Sequence, residues 1–232
     1  VISATARLGE SSYEAFHSRE ITAGLTALWQ DSPRAELRLS ASSLSNGGTA
    51  LADSLFIHGR YEDGLYTAES AVTFTDSLSA RIAFEAGRQE SLWQLLLPGL
   101  ELKEGGGIWS LDGAIPRLTF GEDSLALSGL ALRRGDQRIE LGGTLDLTDS
   151  LTFHLNLENI ELQQWRRFIP GAPALDGTLS AHAALTGIAA RPRIVTTIRA
   201  EELEVAGLPL ATLQFSSLLE DSLLIWDGTL TQ

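Results

Sequence analysis

The sequence predicts an all-β fold of mostly antiparallel strands. Three observations carry that prediction. Apolar and polar residues alternate with a period of two in segment after segment, and clusters of turn-forming residues separate those segments. No strand–helix–strand rhythm interrupts them.

Leu37, Leu39 and Ala41 open the series, followed by Leu55 and Ile57, and then by Leu78, Ala80, Ile82 and Phe84. Leu125 and Leu127 follow, then Ile139, Leu141, Leu145 and Leu147. The clearest case is the run from Ser150, in which Leu151, Phe153, Leu155 and Leu157 share one face and Thr152, His154 and Asn156 the other. Leu179, Ala181, Ala183 and Leu185, and finally Leu223 and Ile225, complete the set. Asn46-Gly47-Gly48, Glu62-Asp63-Gly64 and Gly105-Gly106-Gly107 supply turns between them. Residues 13–29 read as strand. Residues 90–97 and 163–169 lack strict alternation and run into Pro98-Gly99 and Pro170-Gly171, so short helical turns are expected there.

Those two breaks suggest a repeat. Trp93 and Trp165 each stand five residues before a Pro-Gly pair, 72 residues apart, and Thr75-Asp76-Ser77-Leu78 matches Thr148-Asp149-Ser150-Leu151 at an offset of 73. Asp-Ser-Leu recurs from Asp53, Asp76, Asp123, Asp149 and Asp221, where Asp and Ser are expected to close a turn and Leu to open the next strand. One continuous repetitive β domain over residues 1–232 is therefore expected, with units near 30–99, 100–171 and 172–232. With no Met among 232 residues, the chain is expected to be an internal or processed piece of something longer.

Composition excludes several functions. The net charge of −13, with 17 Lys and Arg against 30 Asp and Glu, leaves no basic face for nucleic acid and no polybasic patch for anionic headgroups. The longest apolar stretch, residues 95–100, is broken by Pro98 and Gly99, far short of the roughly 20 residues of a spanning helix. The absence of Cys removes thiol chemistry and disulfides. His17, His58, His154 and His182 are scattered, and the last three fall opposite the apolar residues of their segments. No metal-ligand spacing or nucleophile elbow is present, so neither an enzyme nor a cofactor or metal site is expected. A carbohydrate-acting enzyme would need aromatic platforms and a close carboxylate pair, and the five Trp are dispersed.

What remains is the apolar face. Ile82, Phe84, Leu125, Leu127, Ile139, Leu141, Leu145, Leu147, Phe153, Leu155 and Leu157 are the candidate lining of a hydrophobic groove on an elongated, curved sheet. About 13 strands at ~4.8 Å would give a groove of roughly 60 Å, and acyl chains are its natural occupant. The competing reading is a structural or adhesive repetitive β module with no lipid, in which the same residues pack a closed core.

Several runs resemble a known family. Gly107 to Leu111 is followed by Leu125 to Leu132 and by Gln137 to Leu145; Leu155 to Leu162, Leu175-Asp-Gly-Thr-Leu179 and Leu185-Thr-Gly-Ile-Ala-Ala-Arg-Pro192 come next. Leu203 to Leu210 and Leu224-Ile-Trp-Asp-Gly-Thr-Leu230 continue the order. From about residue 35 to 232 this pattern resembles the TamB family of translocation and assembly module proteins in the AsmA-like superfamily. The resemblance implies a U-shaped β-taco groove in a long periplasmic protein of diderm bacteria. It further implies an inner-membrane anchor, an Omp85-type outer-membrane partner, and the conduction of phospholipids between the membranes in outer-membrane biogenesis.

Overall fold

The structure is a computed structural model that describes residues 1–13, 16–28, 32–46, 49–75, 78–165 and 174–231. It is all-β, as the alternation predicts, and every strand pair with a described register is antiparallel. The chain divides into two compact units, residues 1–111 and 112–232.

The first unit holds β1 (Ile2–Leu8), β2 (Ser11–Tyr13), β3 (Phe16–Ser18), β4 (Glu20–Leu28), β5 (Arg34–Asn46), β6 (Thr49–Glu62), β7 (Leu65–Thr75), β8 (Leu78–Gln89), β9 (Leu92–Glu104) and β10 (Gly107–Leu111). From β4 onward each strand pairs with the next, and β1 lies against β4. Glu62-Asp63-Gly64-Leu65 is a two-residue hairpin with Asp63 and Gly64 at φ 49° and 85°, the twist-compatible turn that Asp-Gly favours.

The second unit holds β11 (Arg117–Phe120), β12 (Ser124–Arg134), β13 (Gln137–Asp146), β14 (Leu151–Glu161), the single-turn helix α1 (Leu162–Trp165), β15 (Leu175–Ile188), β16 (Arg191–Val205), β17 (Leu208–Glu220) and β18 (Leu223–Thr231), again a meander of neighbours. Bulges punctuate it. Ser128 and Gly129 oppose Gly142 alone, with Gly129 at φ 73°, and Glu158 and Asn159 oppose Ser180 alone, with Asn159 at φ 53°. Such an extra residue raises the local twist and bends its strand. At the end of β13, Asp146 Oδ1 accepts bonds from Thr148 N (2.9 Å), Thr148 Oγ1 (2.7 Å) and Asp149 N (3.1 Å). The Thr148 hydroxyl bond, followed by the backbone bonds, holds this carboxyl below its ordinary pKa.

Four local expectations are corrected. Residues 90–97 are not helical: 90 and 91 form a turn, and the rest belong to β9. Pro98 does not stop a helix but sits in a bulge, where Leu97 and Pro98 face Phe84 between the pairs Ala83–Gly99 and Glu85–Leu96. A strand accepts proline at a bulge because the ladder asks for no donor there, so Pro98-Gly99 marks a break in the strand and not the end of a helix. Helix α1 does fall within 163–169 as far as Trp165, whereas residues 166–169 and the Pro170-Gly171 pair lie outside the described residues.

The Asp-Ser-Leu copies at Asp123, Asp149 and Asp221 do precede strands, but Asp53 lies within β6, and Asp76 and Ser77 are outside the described residues. Leu147 is not on a strand; it stands past the end of β13, 61% exposed. Finally, β18 is in the opposite register to the one expected. Leu224 opposes Leu219 and Trp226 opposes Ser217, so Leu224, Trp226 and Leu230 join the apolar face, and Leu223 and Ile225 turn to the other side. A strand apolar at four consecutive positions, 223–226, contains no period from which its facing can be read.

Candidate functional site

Directly opposed residues of antiparallel strands point to the same face, so the registers assemble the faces row by row. In the first unit one row runs Ala4, Leu25, Leu37, Gly59, Ala68 and Phe84. The next runs Ala6, Ala23, Leu39, Ile57, Ser70, Ile82 and Leu100. In the second unit one row runs Leu127, Gly143, Phe153, Leu185, Ile194, Leu219 and Leu224. Leu141, Leu155 and Ala183 form another, and Ile139, Leu157, Ala181, Ile198, Phe215 and Gly228 a third, where Phe215 stacks on Trp226 with ring centres 6.4 Å apart. Leu125 and Leu145 oppose each other at the end of the same face.

The structure thus places ten of the eleven predicted residues on apolar strand faces: Ile82 and Phe84 in the first unit, the others in the second. Leu147 is the exception.

These faces are buried only in part: Ala41 and Leu151 lie on them and are buried, while none of the predicted residues is. Among the described residues the buried hydrophobics of the core are Ala41, Ala52, Trp109, Ala131, Leu151, Ile160, Ala200 and Leu203, none of them from the predicted set. On the first unit's face Leu25, Leu37 and Tyr66 remain 44%, 45% and 44% exposed. A closed sandwich would bury large inward side chains of this kind. Here they are half open to solvent.

The first unit's face contains a defined hollow. Tyr61 and Tyr66 straddle the Asp63-Gly64 turn as a cross-strand pair, with ring centres 4.7 Å apart, and Trp93 lies 6.1 Å beyond Tyr66. One row inward, Gly59 and Ala68 sit side by side between Leu37 and Phe84, and the two small residues leave a trough. Its volume is about 350 Å³, within the range of small-ligand sites, and the exposed surface of its wall is apolar. A Cβ on Gly59 would meet only the Leu37 Cβ, at 4.0 Å, so Gly59 is small without packing demanding it. Of this cleft only Phe84 was among the predicted residues. Tyr61 and Tyr66 were findable, since a two-residue turn at 63–64 puts them opposite each other. In the sequence Trp93 stands out only through its spacing to Pro98-Gly99, which points to a repeat and not to a cleft.

The opposite face is polar. His58 Nε2 lies 2.8 Å from Glu36 Oε1, which also accepts a bond from Arg38 (2.7 Å). Those bonds, Arg38's first and His58's second, hold the Glu36 carboxyl below its ordinary pKa. In the second unit a larger hollow, about 630 Å³, is walled by polar side chains including Asn156, His182, Arg199 and Asp227, and His182 Nδ1 lies 2.5 Å from Asn156 Oδ1. His154 lies over Gly142, where an added Cβ would come within 3.2 Å of the ring. Among the described residues no three His, Asp or Glu side chains are grouped to hold a metal ion, and no helix is long and apolar enough to cross a membrane.

No family model, curated protein or solved structure matches the chain.

Proposed function

We propose that this chain is a segment of a TamB-like, AsmA-like protein of the periplasm, anchored in the inner membrane, that carries phospholipids toward the outer membrane along its apolar strand faces. An Omp85-type protein would be its outer-membrane partner. The observation that carries the reading is the apolar face that each unit builds row by row, part-buried in the second unit and, at Leu25, Leu37 and Tyr66 of the first, more than two-fifths exposed. Contiguous apolar surface left open to water favours an apolar occupant. An acyl chain laid on it gains roughly 0.8 kcal/mol per buried CH₂ without residue-specific chemistry, which suits passage over many similar sites. The headgroup stays in water, so no catalytic group is required.

Strand parity provides the test. A photo-crosslinking residue at Phe84 or Leu155 is expected to capture phospholipid in cells, while the same probe at His182 or His58, on the opposite face, captures none. Equal labelling from both faces would count against acyl chains lying on the apolar side.

A further inference from the structure

Next to Trp93, at one end of the apolar cleft of the first unit, stands a charged residue of the same face. Arg88 is on β8 with the side-chain parity of Phe84 and Ala86, and it directly opposes Trp93 on β9. Arg60, of the opposite side-chain parity on β6, also borders the cleft; of the residues whose parity is that of the apolar face, Arg88 is the first charged one met, since the rows from Ala35, Tyr61, Tyr66 and Ala86 through Ile57 and Leu100 carry none. Directly opposed residues have Cβ atoms about 5 Å apart, so the Arg88 stem and the indole of Trp93 leave the sheet side by side. The guanidinium is exposed and oriented: its Nε donates to the Glu90 carbonyl oxygen (3.1 Å), in a turn where Glu90 takes φ 53°. Its terminal nitrogens form no ion pair among the described residues. Glu62, at the neighbouring hairpin end, is already held by Arg34 at 2.9 Å. An exposed guanidinium tethered through Nε, with its terminal nitrogens outside any ion pair among the described residues and an apolar trough nearby, matches an amphiphile that has an anionic oxygen group at the end of its tail.

We propose that Arg88 anchors the phosphate of a lipid headgroup while one acyl chain lies in the cleft of Tyr61, Tyr66, Trp93 and Phe84, so that this point of the face prefers anionic phospholipids to neutral lipids. The proposal rests on the acyl-binding reading above and adds a headgroup site to it.

Calorimetric titration of the purified chain tests both separately. Lysophosphatidylglycerol is expected to bind roughly tenfold or more tighter than a monoacylglycerol with the same tail. Arg88→Gln should remove that preference and leave monoacylglycerol affinity unchanged, and Arg88→Lys should restore part of it. Inorganic phosphate at millimolar concentration should neither bind measurably nor compete. An unchanged preference in Arg88→Gln overturns the headgroup site while leaving the acyl site standing. Phosphate binding that depends on Arg88 without a tail would mark a free-anion site and overturn it too. If neither amphiphile binds the parent chain, the acyl-binding reading itself fails.

Discussion

Phospholipid captured on the second unit should fall to background in the variants Phe153→Asp and Leu155→Arg, while the β-sheet circular dichroism signal and the solubility stay at parental levels. Both side chains are half-buried at alternate positions of β14 on the apolar face, Phe153 opposing Gly143 and Leu185, and Leu155 opposing Leu141 and Ala183. A charge at either position faces any bound acyl chain and must be desolvated when the chain lies down, at a cost of several kcal/mol for an unpaired ion. Without lipid the same charge keeps part of its hydration and costs less, because neither residue belongs to the buried set. Crosslinking yield measured beside thermal unfolding separates the two outcomes. If both variants unfold globally, Phe153 and Leu155 are core residues of a closed structure, and the apolar faces are not a lipid surface.

The second large effect concerns Gly143. It sits in β13 at φ 131°, a conformation that L side chains rarely adopt, and a Cβ there would stand 1.9 Å from the Thr152 carbonyl oxygen and 2.6 Å from the Phe153 Cα. Both contacts are with backbone, so no side chain can move aside to relieve them. Gly143→Ala is expected to destabilise the chain by roughly 3 kcal/mol or more, combining φ strain with displacement of β14. For a chain of this size that corresponds to a fall of about 6–12 °C in the unfolding midpoint. Gly59→Ala is the matched control, because nothing but the Leu37 Cβ approaches within 4.0 Å and φ is ordinary; its midpoint should remain close to the parent's. Equal tolerance at both positions would mean that β13 and β14 do not pair in this register.

The strands were legible because period-two alternation encodes both the element and its facing, and ten of the eleven predicted lining residues lie on an apolar face for that reason. Legibility stopped where the alternation stopped. In residues 223–226 four apolar residues in a row remove the period, and the register is set by pairing with β17, which no local pattern encodes. Pro98 marked a real irregularity, yet proline signals a break without saying whether a helix ends or a strand bulges. Leu147 continued the spacing of Leu141 and Leu145, but the Asp146 turn had already taken the chain off the strand. The cleft was missed for a different reason. It is formed by what is small, Gly59 and Ala68, and by which aromatic residues meet across strands, so it becomes visible only when the registers of β5 to β9 are aligned.

Mass spectrometry of the organic extract of the purified chain, prepared without detergent from a diderm host, tests the central claim most directly. Phospholipid at about one molecule or more per chain, lost in the Leu155→Arg variant, is the predicted result. A folded, monomeric chain that yields no phospholipid above the level of an unrelated control protein would contradict it.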